Sequence, residues 1–230
     1  MAGTVFKENV LSLIQLIREN LRVVVVSIAL VALLGVVMDV KSADIAQIDS
    51  SAYVFFVLHL RRPWLTPIME SFSNLASPIT LMAMLLIVEA FAPGRRPGLC
   101  AAVNLFCAGV MDLVMKEIVQ RPRPDESLRL VAEAGYSFPS GHSMVSMAFY
   151  GLLLWMVLEY EKDNVVKWIC IVGFAMVILL VGISRIYLGV HYASDVIAGF
   201  CVSAIWLALY TKLVVPILLS EEGAPEAFTL

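Results

Sequence analysis

The sequence predicts an all-α, integral-membrane fold: a bundle of about six transmembrane helices, with an amphipathic helix ahead of the first span and an interfacial segment between the first and second. Three observations predict it. Hydrophobic residues fill 60% of the 230 positions and charged residues 15%, against about 45–50% and about 25% in soluble domains. Apolar runs approaching the length that crosses hydrocarbon as a helix, about 20 residues, recur along the whole chain. The charged side chains gather at the ends of those runs. One soluble domain of this length cannot hide so much apolar surface.

Ahead of the first span, Phe6, Val10, Leu13, Ile14 and Ile17 recur at helical spacing, which predicts a helix lying in the membrane interface. The first span, Val23 to Met38, is short, but its flanking Arg22 and Asp39 can snorkel. A cleaved signal peptide is the alternative there. The run is too long for that, and no small-x-small cleavage site follows, so the span is read as retained. In the link from Asp39 to Ser71, Tyr53, Phe55, Phe56 and Trp64 suit headgroup level, and His59 reads as an interfacial histidine without chemistry. The remaining spans are Phe72 to Val88, Gly98 to Met115, Ser143 to Leu158, Trp168 to Ser184 and Val196 to Leu219, the last disturbed by Lys212 and Pro216. A short acidic tail follows. The whole, residues 1–230, reads as a single membrane domain.

Composition excludes some classes. A net charge of −3 gives no basic footprint for nucleic acid. Cys100, Cys107, Cys170 and Cys201 all fall inside spans, at spacings that match neither a metal motif nor a disulfide framework. No obligate protein partner is evident.

With six spans, the links after spans one, three and five share one side of the membrane. That side collects three clusters: Lys116 to Pro124, Pro139 to His142, and Ser184 to Asp195. Ionisable groups at membrane depth are expensive, so they are functional candidates. His191 and Asp195 stand four apart, stacked if the helix has begun, where a carboxylate on one ring nitrogen frees the other as base or nucleophile. A simple capping pair is the alternative. Ser140 is a candidate N-cap, Gly141 lets a ligand approach the backbone, and the helix start favours an anion. His142 follows at the water boundary. Lys116, Arg123 and Arg185 add three cations suited to phosphate. Arg121 and Arg129 read as snorkelling to headgroups, and Asp112, one turn before Lys116, as its structural partner. Two histidines, a carboxylate, three cations and a helix N-terminus make a consistent phosphoryl-transfer site in which the cations and amides supply the positive field. No carboxylate cluster suited to magnesium occurs, so neither metal nor cofactor is expected.

Lys116-x6-Arg123-Pro124, Pro139-Ser140-Gly141-His142 and Ser184-Arg185-x5-His191-x3-Asp195, in this order, resemble the three-part signature of the type 2 phosphatidic acid phosphatase superfamily, the membrane lipid-phosphatase branch of the group that includes vanadium haloperoxidases. Every signature position is matched. The resemblance implies a metal-independent lipid phosphatase working through a phosphohistidine. His191 would be the nucleophile, Asp195 its orienting group, and His142 the acid for the leaving oxygen and then the base for water. Lys116, Arg123, Ser140, Gly141 and Arg185 would hold the phosphate, with Ser184 and the motif prolines structural. The implied partners are membrane lipids and a lipid phosphate substrate, of the undecaprenyl pyrophosphate, phosphatidylglycerophosphate or phosphatidate class, with Pro63 and Trp64 bordering a groove for its tail. The expected location is the bacterial cytoplasmic membrane, with both termini cytoplasmic and the site extracytoplasmic. Cation counts on the two sides are seven and eight, or seven and five once the three site cations are set aside. A channel or transporter would carry its charges near midspan instead. A catalytically silent lipid-binding member is the other rival, opposed by the intact histidines and aspartate.

Overall fold

The structure, a computed structural model, describes residues 20–41, 47–91 and 96–219. The expected N-terminal amphipathic helix and the acidic tail lie outside them. Apart from their connections, the described residues are helical, with no strand. In chain order they form α1 (Leu21–Lys41), α2 (Gln47–Ala52) running on as a π-helix through Tyr53–His59, α3 (Thr66–Asn74), α4 (Pro78–Phe91), α5 (Arg96–Val119), α6 (Gly141–Tyr160), α7 (Asn164–Tyr187), α8 (Ala193–Leu209), and, after a π-turn over Tyr210–Val214, α9 (Val215–Leu219).

Among the described residues, five helical stretches are long and apolar enough to cross a membrane: α1, α5, α6, α7 and the α8–α9 unit. The expected second span is different in kind. It is a bent pair, α3 and α4, meeting at 51°. The break has a local cause. Pro78 cannot donate a backbone N–H and keeps Ser77 out of helical geometry. Ser77 then caps the new helix, its Oγ accepting from Thr80 N at 3.3 Å. Near the C-terminal end, Pro216 does not stop the last span. The backbone widens first, with Val215 N donating five residues back to Tyr210 O.

The apolar excess lies on the outside, as a bilayer requires. Ile79, Phe91, Phe106 and Ile118 are among many large apolar side chains that stay exposed, far more than a soluble surface carries. Between helices a core of Leu81, Phe149, Leu152, Ile178 and Leu207 packs, and small residues and hydrogen bonds bring the backbones close. A Cβ on Gly199 of α8 would come within 2.9 Å of Ser140 O, so this glycine lets α8 cross α6 closely. Ser203 Oγ donates to Met144 O in the same crossing. Asn104 of α5 donates to Ala148 O and accepts from Trp206 Nε1. These crossings bring the C-terminal ends of α5 and α7 to the starts of α6 and α8.

Candidate active site

The site begins where α5 ends. Gln120 turns out of the helix with φ of +51°, and Arg121-Pro122-Arg123-Pro124 continues non-helical. Proline fixes its own φ and biases its predecessor to extended geometry. Residues two apart on such a segment point the same way. Arg121 and Arg123 accordingly both reach the His191–Asp195 unit, from its two ends.

Arg123 meets the imidazole. Its Nη1 lies 3.0 Å from His191 Nε2 and also donates to Val190 O. Its Nε and Nη2 are fixed by Gly135 O and Ala134 O. A guanidinium only donates, so Nε2 must be the acceptor and Nδ1 must carry the ring proton. Nδ1 donates to Ser137 O at 2.8 Å, with Asp195 Oδ2 farther away at 3.5 Å. The nearest orienting group is therefore a backbone carbonyl rather than the carboxylate. His191 is 3% exposed. Burial, and then the cations Arg123 and Arg185 against the pull of Asp195, push it down to about 4. It is neutral at pH 7, with a lone pair on Nε2.

Asp195 is fully buried and saturated. Its Oδ2 accepts from Ser137 Oγ at 2.5 Å and Tyr192 N at 2.9 Å, and Oδ1 takes Arg121 Nη1 at 2.6 Å. α8 starts at Ala193, so His191 lies just before the helix and Asp195 is in its first turn. The carboxylate caps the helix and faces the imidazole at once.

His142, the second residue of α6, is half-buried and within electrostatic reach of Arg185, Glu133, His191 and Lys116. Ser140 occupies the N-cap position, but its hydroxyl does not cap. It accepts from Ser143 Oγ instead, while Ser140 N donates to Asp195 O and ties the two helix starts together. A Cβ on Gly141 would lie 2.7 Å from Asp112 Oδ2 and 3.1 Å from Lys116 Nζ. Glycine is what lets that pair sit against the first turn of α6.

The cations are not the bare positive field that their count suggests. Lys116 Nζ holds Asp112 Oδ2 at 2.7 Å. Arg123 lies 3.7 Å from Glu133, and Arg185 bonds the other oxygen of the same carboxylate. Burial would raise Glu133, but Arg185, with His142 and Arg123, holds it below the ordinary carboxylate value. Arg185 also donates to Ser73 Oγ, yet its Nε is buried without a partner. A buried donor with nothing to bond is uncommon.

The structure thus brings together His142, His191, Asp195, Lys116, Arg123, Ser140, Gly141 and Arg185. His59 is outside this group, exposed and bonded to Val54 O. Arg121 does not snorkel. Its side chain is 13% exposed, paired with Asp195 and Asp49, and stacked on Tyr192 at 4.1 Å. Arg129 does not reach outward either. It donates to Pro124 O and braces the loop. Sequence reasoning missed Ser137, Glu133 and Asp49 altogether. Ser137 had one signal, its place just ahead of the Pro-Ser-Gly-His run. Among the described residues no three His, Cys, Asp or Glu side chains are grouped to hold a metal ion. The four cysteines are free.

Comparison with known proteins bears on the family and the fold. Residues 97–217 match the PAP2 superfamily. Phosphatidylglycerophosphatase B of Bacillus subtilis (strain 168) is 33% identical over 168 residues, which cover 70% of this chain and 78% of the relative. An undecaprenyl-diphosphatase of Sulfolobus acidocaldarius is 32% identical over 56% of this chain and 59% of its own length. The crystal structure of a transmembrane PAP2-type phosphatidylglycerolphosphate phosphatase from Bacillus subtilis superposes with a TM-score of 0.67 at 26% identity, covering 80% of this chain and 95% of that one. The chain is an integral membrane protein, and on the match to 97–217 together with that first relative, it belongs to the PAP2 superfamily.

Proposed function

We propose that this membrane lipid phosphatase hydrolyses the terminal phosphate of a lipid phosphate or pyrophosphate of the phosphatidylglycerophosphate, undecaprenyl pyrophosphate or phosphatidate class, through a phosphohistidine on His191. The observation that carries this reading is the forced tautomer of His191. Its lone pair on Nε2 accepts from Arg123, beside the starts of α6 and α8, where a phosphate can take over that arginine while its tail stays in the bilayer. In-line attack by Nε2 forms the N–P bond as the bond from phosphorus to the lipid oxygen breaks. His142 gives its proton to that oxygen, the bound phosphate's own charge favouring the protonated imidazole. His142 then takes a proton from water, the hydroxide oxygen attacks phosphorus, and Nε2 leaves with its lone pair restored. Arg185 Nε supplies a donor that has no other partner, and Arg123 and Lys116 complete the grip. The phosphate must share those arginines with Glu133.

Orientation follows from the cations left over. With Arg121 counted in the site, the site-side links retain Lys41, Arg61, Arg62 and Arg129. The other side holds Lys7, Arg18, Arg22, Arg95, Arg96, Lys162 and Lys167. That bias supports cytoplasmic termini and an extracytoplasmic site in a bacterial membrane.

The test is phosphate release by the purified protein in EDTA from phosphatidylglycerophosphate, undecaprenyl pyrophosphate and phosphatidate. Turnover of at least one without divalent metal is expected. Binding of all three with no release would leave a silent lipid-binding member.

A further inference from the structure

Asp49 has no part in the reaction above, yet it is one of the most completely bonded carboxylates in the molecule. It stands on α2, a two-turn helix in the link between α1 and α3, and its side chain is 0% exposed. Oδ1 accepts from Ser194 N at 2.8 Å, and Oδ2 from Ser194 Oγ at 2.7 Å and Arg121 Nη2 at 2.8 Å. Arg121 Nη1 bridges onward to Ser194 Oγ and Asp195 Oδ1. A chain of charges thus runs Asp49, Arg121, Asp195, ending at His191. Burial disfavours the Arg121 cation, but Asp195 and Asp49 outweigh it and hold the guanidinium charged. The same segment walls a cavity of about 320 Å³ that reaches His191, with Tyr53, Val54 and Val57 on one side and Leu128, Ile186 and Tyr192 on others.

We propose that Asp49 and Arg121 are positioning residues for the nucleophile: Arg121 fixes the plane of the Asp195 carboxylate, and Asp49 fixes Arg121, so that His191 is aligned only when the α2 segment is docked. With Oδ1 of Asp195 held by Arg121 Nη1, whose other arm Nη2 is held by Asp49, Oδ2 is left to Ser137, Tyr192 N and the imidazole edge. Without Arg121, two buried carboxylates face each other across an empty space, a loss far larger than that of one ordinary hydrogen bond. The proposal rests on the phosphatase reading for its kinetics, but not for its electrostatics.

The groups facing His191 are Asp195 from α8, Arg185 from α7, His142 from α6 and Arg123 from the post-α5 strap. Arg121 acts on it through Asp195. Removing the Arg121 charge therefore leaves the Asp195 charge less compensated and favours the His191 cation, so its titration must move up. Steady-state kinetics and 15N-histidine NMR titration on the full-length protein in detergent read both effects. Arg121→Met should lower kcat about 100-fold, the scale of a misplaced reacting group, with KM within about twofold and the His191 midpoint raised. Arg121→Lys should return the midpoint to that of the wild type while restoring kcat only in part, because the fork is lost. Asp49→Asn, isosteric, should lower kcat about 10-fold, and combining it with Arg121→Met should add little to Arg121→Met alone.

Arg121→Met with near wild-type kcat, or with lowered kcat and an unmoved His191 midpoint, would overturn the proposal. Should Arg121→Met fail to fold, Asp49→Asn decides, and unchanged kcat there overturns it. Should the wild type release no phosphate from any lipid, the phosphatase reading fails by itself. The titration shift still supports the network if present and sinks it if absent.

Discussion

His191→Ala should abolish phosphate release, with a loss of at least about 10⁴-fold in kcat, the scale seen when a nucleophile is removed from a covalent mechanism. The imidazole keeps a lone pair on Nε2, held by Arg123 Nη1 at 3.0 Å until that arginine turns to the phosphate. Nδ1 is committed to Ser137 O, so no tautomeric exchange can move the nucleophilic nitrogen without breaking a 2.8 Å bond. Burial keeps the ring neutral down to about pH 4, which leaves Nε2 competent across the physiological range. The substitution also removes little that the fold needs, because Asp195 keeps Ser137 Oγ, Tyr192 N and Arg121. Steady-state phosphate release beside a thermal unfolding curve separates the two effects: turnover lost, midpoint nearly kept. Measurable turnover near the wild-type rate would remove His191 from the role.

Arg185→Lys should be the next most damaging, lowering kcat/KM about 10²–10³-fold, the scale of a lost preorganised anion donor. Lysine keeps the charge but not the planar fork. Three nitrogens of Arg185 are divided among Ser73 Oγ, Glu133 and an unfilled position at Nε. An ammonium cannot hold Ser73 and Glu133 while offering a third, separately aimed donor. The comparison is with Arg129→Lys, on the loop brace outside the site, where lysine can still donate to Pro124 O and kcat/KM should fall by no more than about threefold, the scale of one weakened hydrogen bond. Equal effects of the two would show that Arg185 matters only as part of the fold.

Much of this was legible in the chain because the residues concerned come in short, local patterns. Helix parity alone gathers Lys116, His142 and His191 at one rim, and the motif spacings name the groups on it. What was not legible depends on the neighbours that the fold supplies. Arg121 read as a headgroup contact because a lone arginine at a span end usually is one. Its partners, Asp49 and Asp195, lie 72 and 74 residues away in sequence. Glu133 and Asp49 sit in links whose composition gives no hint of the arginines they meet. Ser137 meets His191 through its backbone carbonyl, which any residue carries, so its identity could not announce that contact. The bend between α3 and α4 leaves the count of up to six spans standing and was hidden for another reason. Ser77-Pro78 was a readable breaker, outweighed by continuous hydropathy across it. Hydropathy reports what a segment dissolves in, not whether its backbone is straight.

The central claim is that phosphorus passes through His191 Nε2. The most direct measurement uses a lipid substrate labelled with 32P in its terminal phosphate, quenched in alkali during turnover by the wild type and by His191→Ala. The account predicts an alkali-stable, acid-labile label on the peptide containing His191 in the wild type, and none in His191→Ala. Label on another residue, or none while phosphate is being released, would contradict it.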